Sequence, residues 1–152
     1  AIIWAALTII MPLTLPPNSV GDLSGKVRSM DNDFSSLHPL AKAVYYLGDM
    51  NCHTMAERSY ELNGNQMPFC ARDIGLFLGL ALGMAVTLWL RPRFSWLIII
   101  LLALPIFVDG GAQILISYES TNLIRIITGI LGGIATALFL GHLADVMLSI
   151  KK

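Results

Sequence analysis

Three long, predominantly apolar runs, at residues 74–90, 94–116 and 123–150, constrain this chain more than anything else in it. Each is near or above the ~20 residues a helix needs to cross about 30 Å of hydrocarbon. Runs of that length are too long for the strands or surface helices of a water-soluble domain, so lipid must cover part of the chain. With 55% hydrophobic and only 13% charged residues, the composition agrees. Ten Lys+Arg against ten Asp+Glu leave a formal net charge of zero, which gives nucleic acid no electrostatic footprint.

A fourth apolar stretch occupies residues 1–15, with Trp4 near its start and Pro12 near its end. No Ala-x-Ala-like cleavage site follows it, and Pro16-Pro17-Asn18-Ser19 reads as a helix exit, so a spanning helix, cut short, is expected over a signal-peptide core. The expected fold is therefore an all-α membrane protein of about four transmembrane helices in a compact bundle: helix 1 at residues 1–15, an extracytoplasmic loop at 16–73, and helices 2–4 within 74–152. Arg91, Arg93, Lys151 and Lys152 flank the spans on one side, whereas the turn at 117–122 carries Glu119 and no Lys or Arg. The positive-inside rule then predicts a multi-pass protein of the cell membrane with both termini cytoplasmic. Lys26, Arg28, Lys42, Arg58 and Arg72 in the long loop pull the other way, but the rule weakens as loops approach ~60 residues.

The loop has its own patterning. Its first third, through Asp33, is rich in Gly, Ser and Asp and is expected to be irregular. Leu37, Leu40, Val44 and Leu47 then recur at helical spacing, with Ser36 as cap, Pro39 in the first turn and Gly48 as terminator, predicting a short amphipathic helix at the membrane surface. A short segment at 54–60 follows, and Asn63-Gly64 marks a tight turn between residues 60–62 and 66–67.

Gly75, Gly79 and Gly83 repeat every fourth position in the second span, as do Gly129 and Gly133 in the fourth. Small residues at that spacing let helix backbones approach closely in lipid, so these two spans are expected to pack together.

Polar residues inside or beside the spans need partners. Asp109 lies deep in the third span before Gly110-Gly111, where the glycines are expected to open the helix, and Arg125 lies one turn into the fourth. A pair between them would be either a helix lock or part of a site. Cys52, His53, Cys70 and Asp73 fall on the same outer side and form a candidate metal set for which zinc is the cofactor to consider. A Cys52–Cys70 disulfide, or a pair of free thiols, is the alternative. His142 and Asp145, three apart near the inner end of the fourth span, read as a satisfied helix-end pair, and His38 as a surface residue.

Asn51-Cys52-His53, Glu57-Arg58-Ser59, residues 66–72 (QMPFCAR), residues 109–113 (DGGAQ), Ser120-Thr121-Asn122, Arg125 and Thr128-Gly129 occur in that order. Together they resemble the predicted membrane proteins known as domain of unknown function 2085, over residues 51 to about 133. The resemblance implies a four-helix membrane protein and carries no activity. Many members read Cys-Ala-Arg-Cys where this chain has Cys70-Ala71-Arg72-Asp73, so either Asp73 stands in for a thiolate or the metal reading fails here.

Two functions remain open from sequence. One is a small membrane enzyme or binding protein whose outer pocket takes a polar or anionic head group. In it Arg58, Arg72, Gln113, Asn122 and Arg125 would bind, Asp109 would serve as a candidate catalytic base, and Glu57 would contribute to the wall. The other is a non-enzymatic accessory subunit of a larger membrane complex, or a homo-oligomer, built on the glycine faces. The lipid bilayer is a partner in both. Transport is disfavoured, since four helices without internal repeats leave little room for a pathway.

Overall fold

A computed structural model describes residues 1–26, 30–90, 92–116 and 118–150. Arg28, Arg91, Lys151 and Lys152, on which the orientation argument partly rests, lie outside the described residues. Five α-helices are formed: α1 (Ile2–Thr14), α2 (Pro39–Asn51), α3 (Ala71–Leu90), α4 (Trp96–Leu115) and α5 (Asn122–Ile150). A 3-10 turn at Ala56–Arg58 and a two-stranded hairpin, β1 (Glu61–Leu62) and β2 (Asn65–Gln66), lie between α2 and α3. Three helices are long and apolar enough to cross a membrane, while α1, at 13 residues, is shorter.

The α3–α5 interface is the most extensive in the molecule and is built on glycine. A Cβ on Gly75 would collide with the Ile126 carbonyl, on Gly79 with that of Ile130, on Gly129 with that of Arg72, and on Gly133 with that of Leu76. Gly83 continues the seam against Ile134 and Ala137, and Gly141 meets Thr87. Residue numbers rise together on both helices, so α3 and α5 run parallel. Without side chains between them the backbones touch, and dispersion replaces the missing hydrophobic drive. Antiparallel to both, α4 sets Ile106 against Gly132 and Trp96 against Phe139. Its remaining surface, including Leu97, Leu101, Leu104, Phe107 and Val108, is exposed, as suits a helix in a lipid bilayer. Trp89 and Trp96 flank the α3–α4 turn, the level at which indoles favour a membrane–water boundary.

At the opposite end, where α3 and α5 begin and α4 ends, the described residues of 16–70 fold into a compact cap whose core is shared with the end of α1. Met11, Leu15, Val20, Leu23, Phe34, Ala41, Val44, Tyr45, Met67 and Phe69 are buried together there. The segment after α1 is irregular, as expected, yet side chains of the hairpin hold it in place. Asn65 Oδ1 accepts the Ser19 and Val20 N–H groups at 2.8 and 2.9 Å, and Asn65 Nδ2 donates to the Pro12 and Pro16 carbonyls at 2.9 and 3.0 Å. Gln66 accepts the Leu23 N–H and donates to the Thr54 carbonyl. Both side chains are fully buried, so their hydrogen bonds decide the path of the loop.

Three local expectations are corrected. The cap of α2 is His38, whose Nδ1 accepts the Ala41 N–H at 3.4 Å while Nε2–H donates to Thr14 Oγ1 at 3.1 Å, tying α1 to α2. Ser36 is not the cap, and His38, exposed as expected of a surface residue, takes that role. Gly48 does not end the helix, which continues to Asn51. It is glycine because a Cβ there would strike the Pro68 carbonyl. The buried stripe is Ala41, Val44, Tyr45 and Gly48, so Leu40 and Leu47 of the expected face are exposed. The Asn63-Gly64 turn forms as expected, with φ of 57° and 70° at its two central residues, the left-handed pair that a two-residue hairpin requires.

Candidate functional site

The N-terminal turn of α3 carries the chemistry. Pro68 and Phe69 pin the incoming chain, Phe69 against Trp4 and Phe77 with ring centroids 5.8 and 5.2 Å away, so Cys70, Arg72 and Asp73 emerge at a fixed angle. Cys52, the C-cap of α2, is brought to the same place. The Cys70 N–H donates to Cys52 Sγ at 3.2 Å, which joins two segments 18 positions apart. The thiols are free, and the ligand atoms of Cys52, Cys70 and Asp73 all lie within 4.8 Å of one another. His53 is not within that group, but it lines the same cavity. The hydrogen bond to Cys70, then burial, then the nearby Asp73 carboxylate hold the Cys52 thiol well above its ordinary value. The same bond draws Cys70 down.

Beside this group lies a cavity of about 190 Å³ whose wall includes Asn51, His53, Arg58, Arg72, Gln113 and Arg125. It continues toward a wider opening at Tyr118 and Glu119. The three guanidiniums come from three elements: Arg58 from the 3-10 turn, Arg72 from α3 and Arg125 from α5. Arg58 meets Glu119 at 3.5 Å, an ion pair whose acid is 74% exposed and therefore weak.

Asp109 pairs with Arg72, not with Arg125 as the sequence suggested. Its side chain is 5% exposed; Oδ2 accepts from Arg72 Nη2 and from Gln113 Nε2, the latter at 3.2 Å. The reason is rotational. The face of α4 that carries Asp109 is turned toward the first turn of α3, and Arg72 Nη1 lies 3.9 Å from where a Cβ on Gly110 would stand, an ordinary contact. The helix does not open at Gly110-Gly111 but runs on to Leu115. Asp109 is absent from the cavity wall, so it orients Arg72 rather than facing the space a ligand would fill.

Arg125 is 4% exposed, and its hydrogen-bond partner is the neutral Asn122 Oδ1 at 3.4 Å. Among the described residues it makes no ion pair. Asn122 also donates to the Ser59 carbonyl at 3.3 Å, holding the loop against α5. Glu57 is exposed and stands off the cavity.

At the far end of the bundle, His142 stacks on Phe94, centroids 3.6 Å apart at 16°, in place of the expected pairing with Asp145. Both residues line a separate hollow of about 120 Å³ with Arg93, Thr87 and Ser95. The roles of Asn65 and Gln66 were not legible in sequence either. Their only visible signal is position beside an Asn-Gly turn, which describes the turn and says nothing of what the side chains reach.

Apolar helices joined through glycine, with a polar cap over one end, define a helical protein of the lipid bilayer. The chain belongs to the DUF2085 family of predicted membrane proteins, whose match covers residues 52–139. It is similar to an uncharacterized protein of Methanocaldococcus jannaschii, 32% identical over 104 residues, covering 64% of this chain and 65% of the relative. It is also similar to an uncharacterized protein of Methanothermobacter thermautotrophicus, 30% identical over 102 residues, covering 65% of this chain and 92% of the relative. The chain thus spans just under two thirds of the first relative's length. No solved structure matches.

Proposed function

We propose that this is a four-span protein of the cell membrane, with both termini cytoplasmic and residues 16–73 outside, that binds the anionic head group of a lipid in the cavity beneath its cap. In favour of a fourth span, α1 lies along α3 as deep as Phe77, which Trp4 meets at 6.0 Å, and so enters the same apolar layer. The observation that carries the binding reading is Arg125. An arginine stays charged at any physiological pH, and burying it without a counter-charge is expensive. Arg125 is buried beside a cavity, with a neutral amide as partner, and two further guanidiniums line the same wall. A phosphate entering there would gain charge-assisted, bidentate contacts that water cannot match. The cavity sits at the end of apolar helices, where lipid head groups are the abundant phosphates. The glycine faces, which motivated an accessory-subunit role, are consumed by α3–α5 packing within the chain.

The test uses purified protein in a neutral detergent, titrated with short-chain phosphatidylglycerol, short-chain phosphatidylcholine and inorganic phosphate while thermal unfolding is followed. Phosphatidylglycerol should raise the midpoint by several degrees near saturation, phosphatidylcholine should not, and Arg125→Gln should abolish the response. Equal stabilisation by inorganic phosphate would identify a free anion as the ligand. No response to either anion would overturn the reading.

A further inference from the structure

Asp73 is the residue that the anion-binding reading leaves over. Its carboxylate lies among two sulfur atoms and, among the described residues, makes no ion pair, although three arginines line the adjoining cavity. The first turn of α3 and a hydrogen bond with the Cys52 thiol are the neutral partners of that carboxylate, and a cation held by all three groups would add the counter-charge that they lack. We propose that Cys52, Cys70 and Asp73 are three ligands of a borderline-soft divalent metal, with Zn²⁺ the best match, and that its fourth coordination position opens into the arginine-lined cavity.

The dimensions suit that assignment. Zinc bonds of about 2.3 Å to sulfur and 2.0–2.2 Å to oxygen put tetrahedral ligand atoms roughly 3.5–3.8 Å apart. The three atoms here lie within 4.8 Å of one another, so modest rotamer adjustment closes the set. Cys52, 4% exposed, already accepts the Cys70 N–H at 3.2 Å, the kind of outer-shell bond that steadies a metal thiolate. Binding replaces the two thiol protons, which leave to solvent. A helix N-terminus normally repels a cation, but two thiolates and a carboxylate reverse the local sign. The resulting centre carries one net negative charge beside Arg58, Arg72 and Arg125, which balance it. Three protein ligands with an open fourth position is the arrangement that leaves a metal free to bind water or a ligand oxygen. His53 lines the same cavity but stands outside the three-ligand group. This proposal does not depend on the head-group reading.

The test uses the full chain in neutral detergent, reduced and then freed of reductant under argon, with Co²⁺ as probe. One equivalent should produce the near-ultraviolet thiolate-to-cobalt charge-transfer band with intense tetrahedral visible bands, and Zn²⁺ should displace both. Cys52→Ser and Cys70→Ser should each remove most of the charge-transfer intensity. Asp73→Asn, which keeps both thiols, should weaken Co²⁺ binding at least about tenfold. Arg125→Gln should leave the bands intact while abolishing the phosphatidylglycerol response, so the two proposals fail separately. Absence of the charge-transfer band in protein with two titratable thiols would overturn the metal site. So would recovery of the chain, before reduction, as a Cys52–Cys70 disulfide. Loss of the bands in His53→Ala would overturn the open fourth position.

Discussion

Replacing Gly79 with alanine probes the seam on which the whole bundle depends. An alanine Cβ would lie 2.8 Å from the Ile130 Cα and nearer still to its carbonyl oxygen, where ordinary contact begins at 3.4 Å. The atoms in the way are backbone, so no side chain can swing aside, and the helices must part by roughly 1 Å along this stretch. Separation of that size loosens the contacts of Gly75 and Gly133 as well, because they share the seam. Overpacking of this kind costs about 1–3 kcal/mol. For a chain of this length that lowers the unfolding midpoint by roughly 3–10 °C. Gly79→Leu should be worse and should yield a poorly folded protein. Gly111 supplies the control, since a Cβ there meets nothing within 4 Å. Gly111→Ala should therefore be neutral or slightly stabilising, alanine being the better helix former. Thermal unfolding in detergent, followed by circular dichroism, compares the variants directly. A Gly79→Ala protein that melts with the wild type, or a Gly111→Ala protein that loses as much, would refute the close-contact argument.

Two further outcomes follow from the same geometry. The Arg72–Asp109 pair is asymmetric, with side-chain exposures of 25% and 5%. Arg72→Gln strands a deeply buried carboxylate and should cost on the order of 3 kcal/mol, whereas Asp109→Asn frees an arginine that can reach the cavity and should cost clearly less. Chemical denaturation that ranks them the other way would remove Asp109 from its place as the buried partner. For orientation, a membrane-impermeant maleimide applied to intact cells should label Ser35→Cys above the unsubstituted protein and should spare Ser149→Cys until the membrane is permeabilised. The reverse pattern would invert the topology.

Three long apolar helices, the glycine seam and the Asn63-Gly64 hairpin were all legible in the sequence because each is decided locally. Hydrocarbon thickness sets a length of apolar chain, four-residue spacing puts small side chains on one helical face, and positive φ at two consecutive positions selects Asn-Gly. The meeting of the Cys52 and Cys70 segments was legible too, since a tight turn reverses the chain between them. What the tertiary structure alone decided are the choices between neighbours that composition cannot rank. Whether Asp109 meets Arg72 or Arg125 depends on the rotation of α4 against two parallel helices. The buried face of α2 depends on where the Pro68 carbonyl presses against Gly48. Asn65 and Gln66 became the buried anchors of the loop only because α1, the irregular segment and the hairpin converge on them. Each of these outcomes turns on a few ångströms of relative placement between elements distant in sequence, and short-range propensities carry no record of such distances.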